Sequence, residues 1–351
     1  MVIIALELHL HAPVAVEAME KDKHVLCEKL MAKTVADREH MVGVSKKTGK
    51  LLSIGHQRHY SYLYANALEV AAQRDVLGDV RHIRAFWHRN QTEGGRPGAE
   101  NGAFDTWFAK VPAEDRGVDA ARYSYKSVEE LVRWRLFRRT GAGVMAELGS
   151  HQLDACSILM KALLGDKDRH AVHPRAASGI GVTSFFRDGR EVEDHIFLTD
   201  EYPQDVVVTY FRLTTNAADL YDEQLMGTWG TPAIVSEKDV YLLEEKALKD
   251  TPISGAERRV ATPSAVSTST TKWTAGAGLQ DTLTSRGYRE EQEHLAGLIR
   301  HPDVGRPRCD GGVGLADAVV TLRTSRQGGD GGSSSTRRGS TANSDAVPQV
   351  G

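Results

Sequence analysis

Apolar and polar positions alternate in two periods over the first sixty residues. Val2 to Leu6 is a short β-branched apolar run, and a polar turn through His9 and His11 leads to Pro13, a residue suited to the first turn of a helix. Alanines, valines and Met19 carry that helix to about Lys21. A buried strand at 24–27 follows, and Thr34, with Asp37 three residues on, caps a second helix. Lys46, Lys47 and Gly49 close it with the cations and the glycine that a helix C-terminus favours. Leu51 to Gly55 is the next strand. Strand, helix, strand, helix, strand is the alternation that builds a parallel, doubly wound sheet.

Beyond His56-Gln57-Arg58-His59 the pattern changes. Residues 60–75 read as helix ended by Gly78, and Val80 to His88 as a strand carrying Phe86 and Trp87. Asn90 to Ser127 is rich in glycine, proline and charge but holds Phe104, Trp107, Phe108, Tyr123 and Tyr125. It reads either as an ordered excursion over a pocket or as a satellite core under a long loop. A glycine turn and a helix occupy Gly141 to Leu164. Short strand-like runs then crowd together at Ile180–Phe186, Val192–Leu198, Val206–Leu213, Gln224–Thr228, Ile234–Ser236 and Val240–Leu243, the mark of a largely antiparallel sheet. Helical pattern returns at Tyr288–Arg300 and Gly314–Arg323, and 325–351 has the composition of a disordered tail. The expected fold is α/β: a partial Rossmann-type parallel sheet over 1–58, then an α+β domain over 59–324 with a largely antiparallel, open-faced sheet. A complete dinucleotide fold opens on a strand and a glycine-rich turn, and neither precedes Val2; the expectation is a chain that starts part-way through that domain, with cofactor binding impaired.

Charge narrows the partners. Forty-four basic and 47 acidic residues leave a net charge of -3 without long runs of one sign, which points away from nucleic acid and anionic membranes and towards a small-molecule partner. Cys27, Cys156 and Cys309 are too widely and irregularly spaced for a disulfide framework or a zinc pattern, so a reducing, cytoplasmic setting is expected. No apolar run approaches the roughly 18 residues of a membrane helix.

Candidate chemistry gathers at strand and helix ends. The second strand delivers Glu28 and Lys29 to its carboxyl end, where open α/β sheets bind ligands; the bland alternative is a surface ion pair. Glu147, His151 and Asp154 fall on one helical stripe, an arrangement that can orient an imidazole for general-base work, though such neighbours are often only surface pairs. Gly141-Ala142-Gly143-Val144-Met145-Ala146 imitates a dinucleotide fingerprint, but it follows Arg-Trp-Arg-Leu-Phe-Arg-Arg, which no buried parallel strand would carry. His9 and His11 with Glu147 or His151 form a weak zinc candidate; capping and packing explain both histidines, and no metal is expected.

Together, His11-Ala12-Pro13 through Lys23-His24-Val25-Leu26-Cys27-Glu28-Lys29, then Gly55-His56-Gln57-Arg58, then Glu147-Leu148-Gly149-Ser150-His151-Gln152-Leu153-Asp154, resemble the Gfo/Idh/MocA family of oxidoreductases. Leu30 stands where that family has the proline of E-K-P, and Glu147 where it has the first aspartate of D-x-G-x-H-x-x-D. The resemblance runs from Val2 to about Leu322. It implies an NAD or NADP-dependent dehydrogenase of sugars or polyols, forming homo-oligomers through its antiparallel sheet. Carried over residue by residue, Lys29 polarises the substrate hydroxyl, His151 accepts its proton and Glu147 assists. Glu28, Lys29, His11, Gln57 and Arg58 lie at the cofactor, and Lys29, His151, Asp154 and Trp87 at the substrate. Two other readings share these motifs: a silent binding or assembly relative, and a glycosidase that uses NAD transiently.

Overall fold

The computed structural model describes residues 1–71, 74–93, 104–105, 107–164, 172, 174–245, 274–275 and 285–316. Its amino-terminal part has β1 (Val2–Ile4), α1 (His11–Glu20), β2 (Val25–Glu28), α2 (Val35–Thr48) and β3 (Leu52–Gly55). The three strands pair in parallel in the order β1-β2-β3. Helix α2 has the expected ends: the Asp37 amide donates to Thr34 Oγ1 at 3.1 Å, and Gly49 takes φ 67°, where a side chain would be strained. Ile4, Ala15, Met19, Val25, Cys27, Met41, Leu52 and Ile54 form the core between sheet and helices. Cys309 and Val313 close the same core from far along the chain, with the Ile54 amide donating to Cys309 O at 2.9 Å.

The remaining elements are α3 (Tyr62–Ala71), α4 (Arg74–Leu77), β4 (Val80–Asn90), β5 (Thr92–Glu93), β6 (Phe104–Asp105), α5 (Val128–Val132), α6 (Ser150–Leu164), β7 (Ala176–Val182), β8 (His195–Glu201), β9 (Val207–Arg212), β10 (Thr215–Gly227), β11 (Gly230–Val235), β12 (Asp239–Glu244), β13 (Thr274–Ala275) and α7 (Tyr288–Arg300). Eight strands form one sheet in the order β13-β12-β11-β10-β4-β9-β8-β7, antiparallel except for the β4–β9 pair. Helices α3 and α6 cover one face, where Ile83, Leu159, Leu198, Val208 and Tyr210 are buried. Phe197 and Ile180 are exposed, as the alternation of an open-faced sheet requires.

Several strand boundaries differ from the sequence reading, two of them for identifiable reasons. β7 ends at Val182 rather than reaching Phe186, because the amides of Ser184, Phe185 and Phe186 donate to the Asp194 carboxylate instead of to a neighbouring strand. β10 begins at Thr215 rather than Gln224, through a register break where Asp219 and Leu220 adopt φ 63° and 55° and erase the alternation. At the end of the 90–127 stretch, Ala120 and Tyr125 join Val128 of α5 in a small satellite core. Residues 94–103, the expected helix beyond 316 and the 325–351 tail lie outside the described residues.

Candidate active site

β2 brings Glu28 and Lys29 to its carboxyl end, and the loops around them are tightly held. His11 is buried, with Nδ1 3.0 Å from Leu30 O and Nε2 2.9 Å from Leu6 O, so its ring ties the loop after β1 to the loop after β2. Both ring nitrogens are thereby engaged with backbone, and His11 shapes the crevice from behind. Leu30 packs with Leu8 and Ala146, and the Lys29–Leu30 peptide is cis. A β-carbon at position 55 would lie 3.1 Å from Glu28 Oε2 and 3.0 Å from its Cα, so Gly55 is what lets the Glu28 carboxylate lie across the end of β3. Burial pushes that carboxyl above its ordinary range, with Lys29 opposing.

Lys29 Nζ donates to Glu147 O at 2.6 Å and lies 3.8 Å from Glu147 Oε2. Glu147 belongs to a π-helical turn, Met145–Gly149, that leads into α6. The wider turn alters the phase of the helical stripe expected from spacing alone, and such turns recur at functional sites. A β-carbon at Gly149 would meet Met145 Sδ at 2.6 Å and Tyr210 Cε1 at 3.3 Å, which explains a glycine there. Arg135 Nε donates to Glu147 Oε2 at 3.1 Å and completes the grip on this carboxylate.

His151 is half-buried with its Nδ1 enclosed, and its ring lies between His56 (centroids 6.2 Å apart) and Trp87 (5.8 Å). Desolvation holds this imidazole well below its ordinary pKa, and the cations Lys29, Arg58 and Arg89 act in the same sense, Lys29 most strongly. At neutral pH it is an uncharged base. Trp87 stacks on Tyr221 at 4.5 Å and carries the Arg89 guanidinium 5.0 Å above its ring.

Arg58 and Asp154 occupy places that spacing did not reveal. Arg58 is buried; it donates from Nη1 to Glu223 Oε1 and to His151 O, and from Nε to Glu237 Oε1, all at 2.7 Å. Its charge is used within the protein, holding the start of α6 against β10 and the turn after β11. Asp154 meets the turn after β3: His59 Nε2 is 2.8 Å from its Oδ1 and His56 Nδ1 3.5 Å from its Oδ2. Gln57 is buried with Oε1 enclosed and lacking a partner among the described residues. Sequence reasoning assigned no role to His56, His59, Arg135, Glu223, Glu237 or Glu291. Glu223 falls one residue before the strand read at 224–228, so its place inside β10 left no signal, and Glu291 lies in a helix too polar to betray a buried face. Among the described residues, no three His, Cys, Asp or Glu side chains gather as metal ligands, and all three cysteines are buried thiols.

Glu291 of α7 is buried beside Glu28 and Asp154, and desolvation followed by those two negative charges pushes its carboxyl up to about 8. A carboxyl raised in the folded state stabilises the fold fully below its unfolded pKa, and that contribution is lost as pH rises through the folded value. Between its ordinary 4.5 and about 8, Glu291 therefore makes stability fall with rising pH. Glu291→Gln is expected to flatten that slope by a few kcal/mol, read by denaturant unfolding at the two ends of the window; an unchanged slope would contradict the assignment.

Residues 1–56 match the model described as "Oxidoreductase family, NAD-binding Rossmann fold" of GFO_IDH_MocA, in line with the resemblance carried by the motifs of that segment. Among individual proteins, the inositol 2-dehydrogenase of Salmonella typhimurium strain LT2 is 40% identical over 76 residues, 21% of this chain and 23% of that protein. The inositol 2-dehydrogenase of Rubrobacter xylanophilus is 28% identical over 154 residues, 44% of this chain and 40% of that protein. The matched stretches thus span well under half the length of these relatives. Two solved structures share the fold over 93% of this chain: aldose-aldose oxidoreductase from Caulobacter crescentus complexed with glycerol (TM-score 0.59, 21% identity, 77% of that chain) and an inositol dehydrogenase homolog from Azotobacter vinelandii complexed with NADH and myo-inositol (TM-score 0.60, 15% identity, 75% of that chain).

Proposed function

We propose that the protein is an NAD(P)-dependent dehydrogenase that oxidises a hydroxyl carbon of a sugar or polyol. The observation that carries this reading is that Lys29, from the end of β2, is held on Glu147 in the turn that opens α6, four residues before His151, whose enclosed imidazole is kept neutral by burial and by that ammonium. A positive charge that polarises a hydroxyl, beside a neutral base that takes its proton, is what alcohol oxidation asks of a protein. The relatives named for inositol dehydrogenation support the substrate class.

The residues present suit the nicotinamide end of the cofactor. Gln57 Oε1, enclosed and without a partner among the described residues, would accept from a carboxamide N–H; Glu28 and Lys29 lie at the adjoining strand end. When bound, the nicotinamide supplies the hydride acceptor. Lys29 orients and polarises the hydroxyl, His151 holds the proton, and Glu147 with Arg135 keeps Lys29 in place. Trp87 offers a sugar ring a flat apolar face, while Arg58 positions His151 without touching the ligand. The exposed sheet face bearing Ile180 and Phe197 is where copies of the chain would pair.

Incubation with a panel of sugars and polyols and either NAD or NADP tests this. The expected result is growth of reduced-nicotinamide absorbance with at least one cyclic polyol or sugar. No reduction of either cofactor across the panel would overturn the reading.

A further inference from the structure

Oxidation of an alcohol releases a proton in an enclosed place. The hydride and its electron pair go to the nicotinamide, and the hydroxyl proton goes to His151, whose Nδ1 is enclosed and has no partner among the described residues. Each turnover then requires that proton to leave. We infer that His56, Asp154 and His59 form the path by which the proton passes from His151 to solvent. This rests on the dehydrogenase reading above.

The groups stand in order. The His151 and His56 rings stand edge to face with centroids 6.2 Å apart, and the path we infer crosses between them through a water molecule. His56 is fully enclosed, with no hydrogen-bond partner on either ring nitrogen among the described residues, and its Nδ1 is 3.5 Å from Asp154 Oδ2. The other oxygen of Asp154 is 2.8 Å from His59 Nε2. His59 alone of the three reaches solvent, its side chain 16% exposed against 0% for His56 and 1% for Asp154. A buried histidine and a buried carboxylate set side by side are costly as structure, since neither ring nitrogen of His56 is well satisfied. As a relay the arrangement is economical. A neutral imidazole takes a proton on one nitrogen and gives one up from the other, and a carboxylate takes it on one oxygen and passes it from the other.

Lys29 and Arg58 act on His56 against its protonated form, and Arg308 donates to His59 O. Burial lowers the His56 pKa to about 4, so the imidazole carries charge only in passage. Nothing accumulates on the path.

The test compares His59→Gln and His59→Arg in the full chain. Either substitute can hydrogen-bond Asp154, and arginine supplies a permanently charged partner, but neither transfers protons near neutral pH. The relay predicts that both lower the oxidation rate by about tenfold, part of what a proton-transfer group contributes. It also predicts that KM is little changed, that the solvent isotope effect rises, and that imidazole in the buffer restores the rate. Wild-type kinetics in His59→Arg would show that Asp154 needs only a cation and would overturn the relay. A second readout is independent of turnover: nitrogen NMR of labelled histidines, with Asp154→Asn. The relay predicts that the His56 and His59 rings respond to each other during titration and that Asp154→Asn uncouples them; independent responses in the wild type would overturn it. If the wild-type chain oxidises no substrate, the dehydrogenase reading fails and the spectroscopic coupling alone decides whether the path exists.

Discussion

Lys29→Ala is expected to lower sugar or polyol oxidation by about 10²- to 10⁴-fold, the range for losing a group that acts on the reacting proton and oxygen. The side chain is 12% exposed, aimed across the crevice and fixed by the Glu147 carbonyl. On the proposed reading, its removal takes away the charge that stabilises the developing alkoxide and leaves His151 to abstract a proton from an unpolarised hydroxyl. The fold should survive. Glu147 keeps Arg135, and the lost hydrogen bond to the Glu147 carbonyl is worth about 1 kcal/mol. Lys29→Arg should rescue poorly, because a planar guanidinium does not replace a compact ammonium against one hydroxyl oxygen. Steady-state kinetics with a thermal melt on each variant check both halves; near-normal turnover in Lys29→Ala removes this residue from the mechanism.

The largest stability effect is expected at Arg58. Its guanidinium is surrounded by Glu223 and Glu237, lies 5.2 Å from the Tyr64 ring centre, and holds the carbonyl of His151. Tyr64 donates to the second Glu223 oxygen at 2.8 Å, so the carboxylate has partners on both sides. Arg58→Met leaves two carboxylates enclosed without a counter-charge, a change that typically costs about 3–5 kcal/mol. Burial already pushes Glu223 up to about 7 in spite of Arg58, so in the variant it is expected to rise further and to lessen the cost by taking up a proton. Adding Glu223→Gln and Glu237→Gln to Arg58→Met should recover much of the loss, as expected when the cost is unpaired charge rather than lost packing. Urea unfolding measures each form. A loss below about 1 kcal/mol in the single variant would assign this cluster the small value of a surface pair.

Local rules made the first sheet legible. Thr34, Asp37 and Gly49 announce both ends of α2, and each does in the fold what its chemistry suggests. Lys29, Glu147 and His151 were found by residue type and spacing, and they converge. Contacts that depend on the far part of the chain were not legible. Nothing near Arg58 indicates that its partners are Glu223 and Glu237, because alternation tells which face a residue takes and not which charge it will meet. Asp194 intercepts three amides that a strand reading assigns to a sheet, and Cys309 enters a core assembled from the first sixty residues. The π-helical turn escaped as well, since an extra residue in one turn leaves no mark on a 3.6-residue period.

The most direct test of the central claim follows the hydrogen itself. A polyol or sugar oxidised by the protein is prepared with deuterium on the carbon that bears the reacting hydroxyl, and the reduced cofactor is examined by mass spectrometry and NMR. Direct hydride transfer beside Lys29 and His151 predicts that the deuterium appears on the nicotinamide ring without dilution by solvent. Deuterium released to water, or an unlabelled reduced cofactor, would contradict it.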